Sequence, residues 1–360
     1  VKSIKHILEF VLALKVSVLL RVLPRSARLA LGRFAGELVY AVDRRHRAIT
    51  VDNVATALGP SKTADESRAI ARNAFRHFGA MLFELLSLRA SSWREFEPLF
   101  EFEGVSRFEK ARSRGKGVIL VAAHFGNWEL HAIAHGYKLG PIHLVARAQD
   151  NKFFNSWLEK IRGLSGNHVV YKQRALGQMK RLLRAGETIA FVIDQNVRQE
   201  DAVFVDFFGR KAATTPVASW FALKTGAALV PVFCYPREDG SYRAVYEGPI
   251  DTAPYRDLPR EEAIQALTQE LVSLQEEYIR ERPGLWLWMH RRWKTQPEDG
   301  QAEIGAKSNG GARSGSRSLP RSSSEADAVP LSQPSSPSPS PSASSSASAP
   351  PKHAPASHLR

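Results

Sequence analysis

The chain has 360 residues, 43% of them hydrophobic and 24% charged, with a formal net charge of +14. That length supports one large domain with appendages, and the composition is ordinary for a globular protein. A single cysteine, Cys234, excludes an intramolecular disulfide; it sits in the apolar run Leu229 to Tyr235 and reads as a packing residue, which fits a reducing compartment.

Residues 4–23 are largely apolar and end at Pro24, but Lys5, Glu9, Lys15 and Arg21 interrupt them. No run reaches the ~18 apolar residues of a spanning helix. A central lysine costs about 2.5–3.5 kcal/mol on insertion scales. An interfacial helix over residues 1–24 is expected, with a single span or a helix docked on the body as alternatives. No small-residue cleavage site follows, as a signal peptide requires. A second amphipathic pattern carries Leu29, Leu31, Phe34, Leu38 and Val39, followed by the basic run Asp43-Arg44-Arg45-His46-Arg47 and by Asn53. Residues 64–95 have helical spacing, with Ile70, Phe75, Met81, Leu82, Leu85 and Leu86 as expected core.

The glycine turn Gly115-Lys116-Gly117 feeds the buried-strand run Val118 to Ala123. A helix with Trp128, Leu130, Ile133 and Tyr137 follows, and His124, Gly126, Asn127 and Glu129 lie at the junction. A strand-to-helix turn exposes reactive side chains and helix-start N–H groups. An imidazole there can take a proton from a hydroxyl, and a nearby carboxylate can hold its tautomer. Glu129 is the expected carboxylate. Gly126 lets a substrate approach the backbone. No Ser or Cys lies in this stretch, so the activated hydroxyl can belong to the substrate, an arrangement that describes direct acyl transfer.

Ile142 to Ala146 reads as a strand ending at Arg147, and Asp150-Asn151 open a helix that carries Arg162. A guanidinium at a strand end can grip phosphate, or simply form a surface ion pair. Val169 to Tyr171 is a short strand, Leu176 to Leu183 a helix, and Thr188 to Ile193 a buried strand ending in Asp194-Gln195, where site residues are expected. In the block Val203 to Pro216, the phenylalanines suit core packing or an acyl groove. Thr214 and Thr215 suit a cap or phosphate site on the helix starting near Pro216. Leu229 to Tyr235 and Tyr242 to Tyr246 read as strands, and residues 260–281 as a helix. The run Trp286 to Lys294 mixes Trp with Arg and Lys, which suits a membrane interface or a packed tryptophan cluster. From about Gln296 the chain turns to Ser, Pro, Ala and Gly, and a disordered tail over 297–360 is expected.

His124-Phe125-Gly126-Asn127-Trp128-Glu129 resembles the His-x4-Asp/Glu motif of glycerolipid acyltransferases, and in its fuller form the bacterial lipid A late acyltransferases. The resemblance spans roughly residues 5–295 and includes the spacing of Arg147, Asn151 and Arg162, the pair Asp194-Gln195, and the C-terminal Trp/Arg signature. It implies an α/β fold with a mixed central sheet flanked by helices over residues 25–296. It implies an O-acyltransferase at the cytoplasmic face of the inner membrane, moving an acyl chain from acyl carrier protein to a hydroxyl of an anionic glycolipid, a lipid A precursor. His124 and Glu129 are then the catalytic residues, with His124 the base and Glu129 orienting it. Gly126, Asn127, Arg147, Asn151, Arg162, Asp194, Gln195 and Thr214 are then substrate-binding, donors near Gly126 and Asn127 serving the oxyanion.

No metal or redox cofactor is expected. His124, His131 and His135, spaced by seven and four, are a zinc alternative. Two functional alternatives remain. One is a phosphatidylinositol mannoside-type acyltransferase using acyl-CoA, and the other a non-catalytic membrane lipid-binding protein. Residues 301–360 contribute six Lys/Arg and three Asp/Glu, so +11 of the +14 belongs to the body. A basic body suits anionic lipid or an acidic carrier protein. No nucleic-acid module is recognisable.

Overall fold

The computed structural model describes residues 2–88, 92–172 and 175–298. The chain divides into the units Val1–Lys307 and Ser308–Arg360; the second unit, and the expected tail beyond Glu298, lie outside the described residues. The helices are α1 (Lys2–Arg21), α2 (Arg25–Val42), α3 (Arg44–Leu58), α4 (Ala64–Leu86), α5 (Trp93–Phe96), α6 (Val105–Arg112), α7 (Trp128–Leu139), α8 (Lys152–Arg162), α9 (Ala175–Arg184), α10 (Val217–Thr225) and α11 (Arg260–Glu281). The strands are β1 (Phe100–Glu103), β2 (Val118–Ala122), β3 (His143–Ala146), β4 (His168–Tyr171), β5 (Thr188–Val192), β6 (Val203–Phe207), β7 (Arg210–Thr214), β8 (Ala228–Pro236) and β9 (Tyr242–Tyr246).

Seven strands form one sheet in the order β1-β9-β8-β2-β5-β3-β4, and β6 and β7 form a separate hairpin. Every pair in the large sheet is parallel except β8 with β9, so the sheet is mixed, as expected. A strand covered on both faces has no polar side to alternate with, which explains the unbroken run Val118-Ile119-Leu120-Val121. Ile119 and Val121 join a core with Met179 and Leu183 of α9, Phe221 of α10 and Leu271 of α11. Val118 and Leu120 join another with Phe108 of α6, Leu139 of α7 and Tyr246 of β9. Helices thus cover both faces, and Cys234 packs in a third apolar cluster as a buried thiol.

The N-terminal helices pack differently from the simplest reading of their pattern. In α2 the packed face is Gly32 and Gly36, which meet α4 backbone to backbone. A Cβ on Gly36 would lie 2.1 Å from the Phe75 carbonyl oxygen. The leucine-rich stripe consequently faces away, and Phe34 and Val42 are each 67% exposed, with Leu31 and Leu38 beside them. Helix α1 docks on the body: Ser17 donates to the Leu86 carbonyl at 2.6 Å, and Asn151 Nδ2 donates to the His6 carbonyl at 3.0 Å. Leu12, Leu19 and Val22 remain exposed. Among the described residues no helix is long and apolar enough to cross a membrane.

Candidate active site

The turn after β2 is held on all sides by backbone hydrogen bonds. Gly126 has φ +58°, and a Cβ there would lie 1.7 Å from the Cys234 carbonyl oxygen, so only glycine fits. The close approach is therefore made by β8, not by a substrate. The Gly126 N–H donates to the Leu285 carbonyl at 2.9 Å, and the Asn127 N–H donates to the Cys234 carbonyl at 2.9 Å. These two amides are engaged within the fold, which corrects their expected role as oxyanion donors. His77 Nε2 donates to the Gly126 carbonyl at 3.0 Å. Burial pushes the His77 pKa down to about 4, outweighing the lift from that bond, so the ring is a neutral donor at pH 7.

Asn127 is buried and caps α7, its Oδ1 accepting from the Leu130 N–H at 3.1 Å. Its Nδ2 donates to the Tyr242 hydroxyl at 3.0 Å and to Glu84 at 3.3 Å. Glu84 in turn holds Arg25 at 2.6 Å. Asn127 thus belongs to a buried structural network rather than to a substrate surface.

His124 meets a different carboxylate from the one its spacing suggests. Its Nδ1 lies 2.7 Å from Asp194 Oδ1, and its own amide donates to Asp194 Oδ2 at 2.8 Å. The reason is register: β2 and β5 pair in parallel with Ala122 opposite Val192, and two residues further on His124 lies beside Asp194. Glu129 starts the first turn of α7, and its carboxylate faces α8, where Arg162 grips it through Nε at 2.9 Å and through Nη2. Glu129 and Arg162 are brought together as an ion pair, so neither takes its expected role of ring orientation or free phosphate grip in this arrangement. Asp194 lies 1% exposed and His124 21%, so the ring alone is reachable from solvent. Burial raises the Asp194 pKa, but the His124 charge and the bonds from His124 and Trp286 outweigh it and hold the carboxyl below its usual range.

The C-terminal segment closes over the site. Trp286 Nε1 donates to Asp194 Oδ2 at 2.6 Å, and the Leu287 N–H donates to the His124 carbonyl at 3.0 Å. Asn53 Nδ2 ties the segment down through the Trp288 and His290 carbonyls at 2.7 and 2.8 Å. Trp286, Trp288 and Trp293 are buried, so the packed cluster stands and the membrane-interface reading of these rings does not. Arg292 is fully buried, donating to the Ala213 carbonyl at 2.7 Å and to Thr214 Oγ1. Burial pushes its pKa down to about 10, while the charge of Asp194 supports the cation. Thr214 is buried beneath it and does not cap α10, whose cap position is Pro216. It serves Arg292 rather than a phosphate. Phe207 and Phe208 pack on Trp286 and Trp288.

Gln195 stays beside the other ring nitrogen, its Nε2 lying 3.4 Å from His124 Nε2. It also lines an open cleft of about 330 Å³, with Val39, Phe75, Leu287 and Met289 as apolar wall and Asp43, His46 and His290 as polar wall. Arg147 pairs with Asp150 at 3.0 Å and is 74% exposed. Asn151 caps α8 through Phe153 and Phe154. Neither touches the His124 cluster through these contacts. His131 and His135 both bond the Tyr246 hydroxyl, at 3.1 and 2.7 Å, and among the described residues no group of three or more His, Cys, Asp or Glu is placed for a metal. Sequence spacing missed Trp286 and Arg292 as site residues. The one signal was their place in the C-terminal Trp/Arg run.

Residues 2–295 match the family model described as bacterial lipid A biosynthesis acyltransferase. The chain is 28% identical over 280 residues to the lipid A biosynthesis lauroyltransferase of Escherichia coli K12, covering 77% of this chain and 88% of that protein. It is 28% identical over 261 residues to a lipid A biosynthesis acyltransferase of Haemophilus influenzae, covering 72% and 80%. A phosphatidylinositol mannoside acyltransferase of Mycolicibacterium smegmatis is 25% identical over 191 residues, 51% of this chain and 59% of that one. With the match running through the whole of the sheet, the His124 turn and the C-terminal clamp, the chain belongs to the family of bacterial lipid A biosynthesis acyltransferases.

Proposed function

We propose that this acyltransferase moves a fatty acyl chain from an acyl carrier protein thioester to a hydroxyl of a lipid A precursor, with His124 as base and Asp194 as its partner. The observation that carries this reading is the His124 Nδ1 contact with buried Asp194, with Nε2 on the far side of the ring beside Gln195, a residue that itself lines the cleft. With the Nδ1 proton on the Asp194 side, Nε2 holds the free lone pair.

Nε2 takes the proton of the acceptor hydroxyl as its oxygen bonds to the thioester carbon. The tetrahedral oxyanion then collapses, the C–S bond breaks, and the thiolate leaves with the proton from Nε2. The ring ends neutral and the ester is formed. Asp194 stabilises the imidazolium between the two transfers. Because the Gly126 and Asn127 amides are engaged, the Gln195 carboxamide is the oxyanion donor of this reading, a role typically worth about 3 kcal/mol. The Glu129–Arg162 pair braces α7 against α8 behind the turn.

We place the enzyme at the cytoplasmic face of the inner membrane, lying on the leaflet through α1 and α2. The exposed apolar residues of α1 and α2, with Lys15, Arg44 and Arg45 near them in the chain, support this, as does Val39 of α2 lining the cleft. Flotation on anionic vesicles should fall in a Phe34→Glu, Leu38→Glu variant that keeps a native melt; unchanged flotation would remove α2 from the membrane contact.

The reaction is tested by incubating lipid A precursor with acyl carrier protein and CoA thioesters of several chain lengths and weighing the lipid. One added acyl chain from the carrier thioester is expected. Acylation of a mannosylated phosphatidylinositol from CoA instead would favour the mannoside reading. No transfer to either acceptor would favour a lipid-binding protein.

A further inference from the structure

Trp286 reaches the centre of the site from a segment more than ninety residues away from Asp194 in sequence, and its indole is the donor that completes the buried carboxylate. Asp194 Oδ1 faces the His124 ring, and Oδ2 receives two donors, the His124 amide at 2.8 Å and Trp286 Nε1 at 2.6 Å. An indole N–H can only donate, so Asp194 Oδ2 is the acceptor of this contact, as it is for the His124 amide. The indole has little freedom: it is fully buried, packs edge-to-face on Trp288 with centroids 4.6 Å apart, and meets Phe207 at 5.4 Å. Its flanking amide groups are tied to the catalytic turn itself, through Leu285 to Gly126 and Leu287 to His124. The segment thus locks both members of the pair at once, the histidine through its backbone and the aspartate through the indole.

We infer that Trp286 is a positioning residue for acyl transfer, fixing the Asp194 carboxylate so that His124 is held in the tautomer with Nε2 free. The inference rests on the His124–Asp194 reading above. Without the N–H, Oδ2 keeps only the His124 amide in a water-poor site, and the carboxylate can rotate away from the ring. A bond to a charged group carries enough free energy for that change to slow the chemical step about 10- to 100-fold. Trp286 is fully buried and offers no surface to a substrate, so affinities should be unaffected.

The test is Trp286→Phe, with benzothienylalanine at position 286 as a second variant that replaces the N–H by sulfur within nearly the same outline. In whichever variant keeps the wild-type melting transition, kcat should fall about 10- to 100-fold while KM for thioester and for lipid changes less than about twofold. Nitrogen NMR of labelled His124 should show the Nδ1–H tautomer in the wild type and a mixture in the variant, a signature that general loosening of the core would not give. A folded variant with wild-type kcat and an unchanged tautomer overturns the inference. So does a rate loss that merely tracks the unfolded fraction. His124→Ala separates the two levels: if it is inactive while Trp286→Phe is fully active, only the positioning role fails; if His124→Ala is itself active, the underlying reading fails.

Discussion

His124 and Asp194 meet because two parallel strands share a register, and that fact decides which carboxylate matters at the residue scale. Asp194→Asn presents an amide donor to the ring and favours the wrong tautomer, so transfer per folded molecule should fall about 10³–10⁴-fold. Glu129→Gln leaves the Arg162 guanidinium without its carboxylate in a largely buried place, which should cost about 3 kcal/mol of stability with a smaller effect on the rate of the folded fraction. Denaturant melts and single-turnover rates on both proteins check this. The reverse ranking, with Glu129→Gln crippled and Asp194→Asn nearly normal, would return the orienting role to Glu129. The sequence singles out His124 as the candidate base and places Asp194-Gln195 at a strand end. It hides their contact, because strand neighbours seventy positions apart are set by sheet order, whereas Glu129 is conspicuous only through its nearness along the chain.

At the scale of elements, α7 carries a second consequence of burial. His131 and His135 share the Tyr246 hydroxyl inside the core, and burial pushes the His131 pKa down to about 4 and that of His135 well below its usual value. Both folded-state values lie below the ordinary 6.5, so between about pH 6.5 and 4 the unfolded chain binds protons that the folded chain refuses. Stability is therefore intact at pH 7 and falls as pH drops through that window, by about 2 kcal/mol at pH 5 for His131, with His135 acting in the same direction. Urea midpoints at pH 7 and pH 5 should differ accordingly, and a folded His131→Gln protein should lose less. Equal wild-type midpoints would contradict the neutral buried pair. Most elements are legible from pattern alone: the run 260–281 is α11, and the apolar run from Val118 is β2. The facing of α2 is not, since its glycine side is chosen by contact with Gly79 and Phe75 of α4, and no periodicity within α2 records that neighbour.

For the molecule as a whole, the mixed sheet brings the ends of β2 and β5 together, and the segment after α11 closes over them. That closure sets where the chain can be shortened. Thr295 exchanges hydrogen bonds with Asn196 at 3.0 Å, so a cut after Lys294 removes a brace beside Gln195, whereas a cut after Glu298 keeps it. The role of His124 as base is tested most sharply by acyl transfer to lipid A precursor by His124→Ala, followed by mass in a single turnover. A protein with a wild-type melting transition and a rate lower by about 10²–10⁴-fold, the contribution of a general base, is expected. A folded His124→Ala protein that adds the acyl chain at close to the wild-type rate would contradict that role.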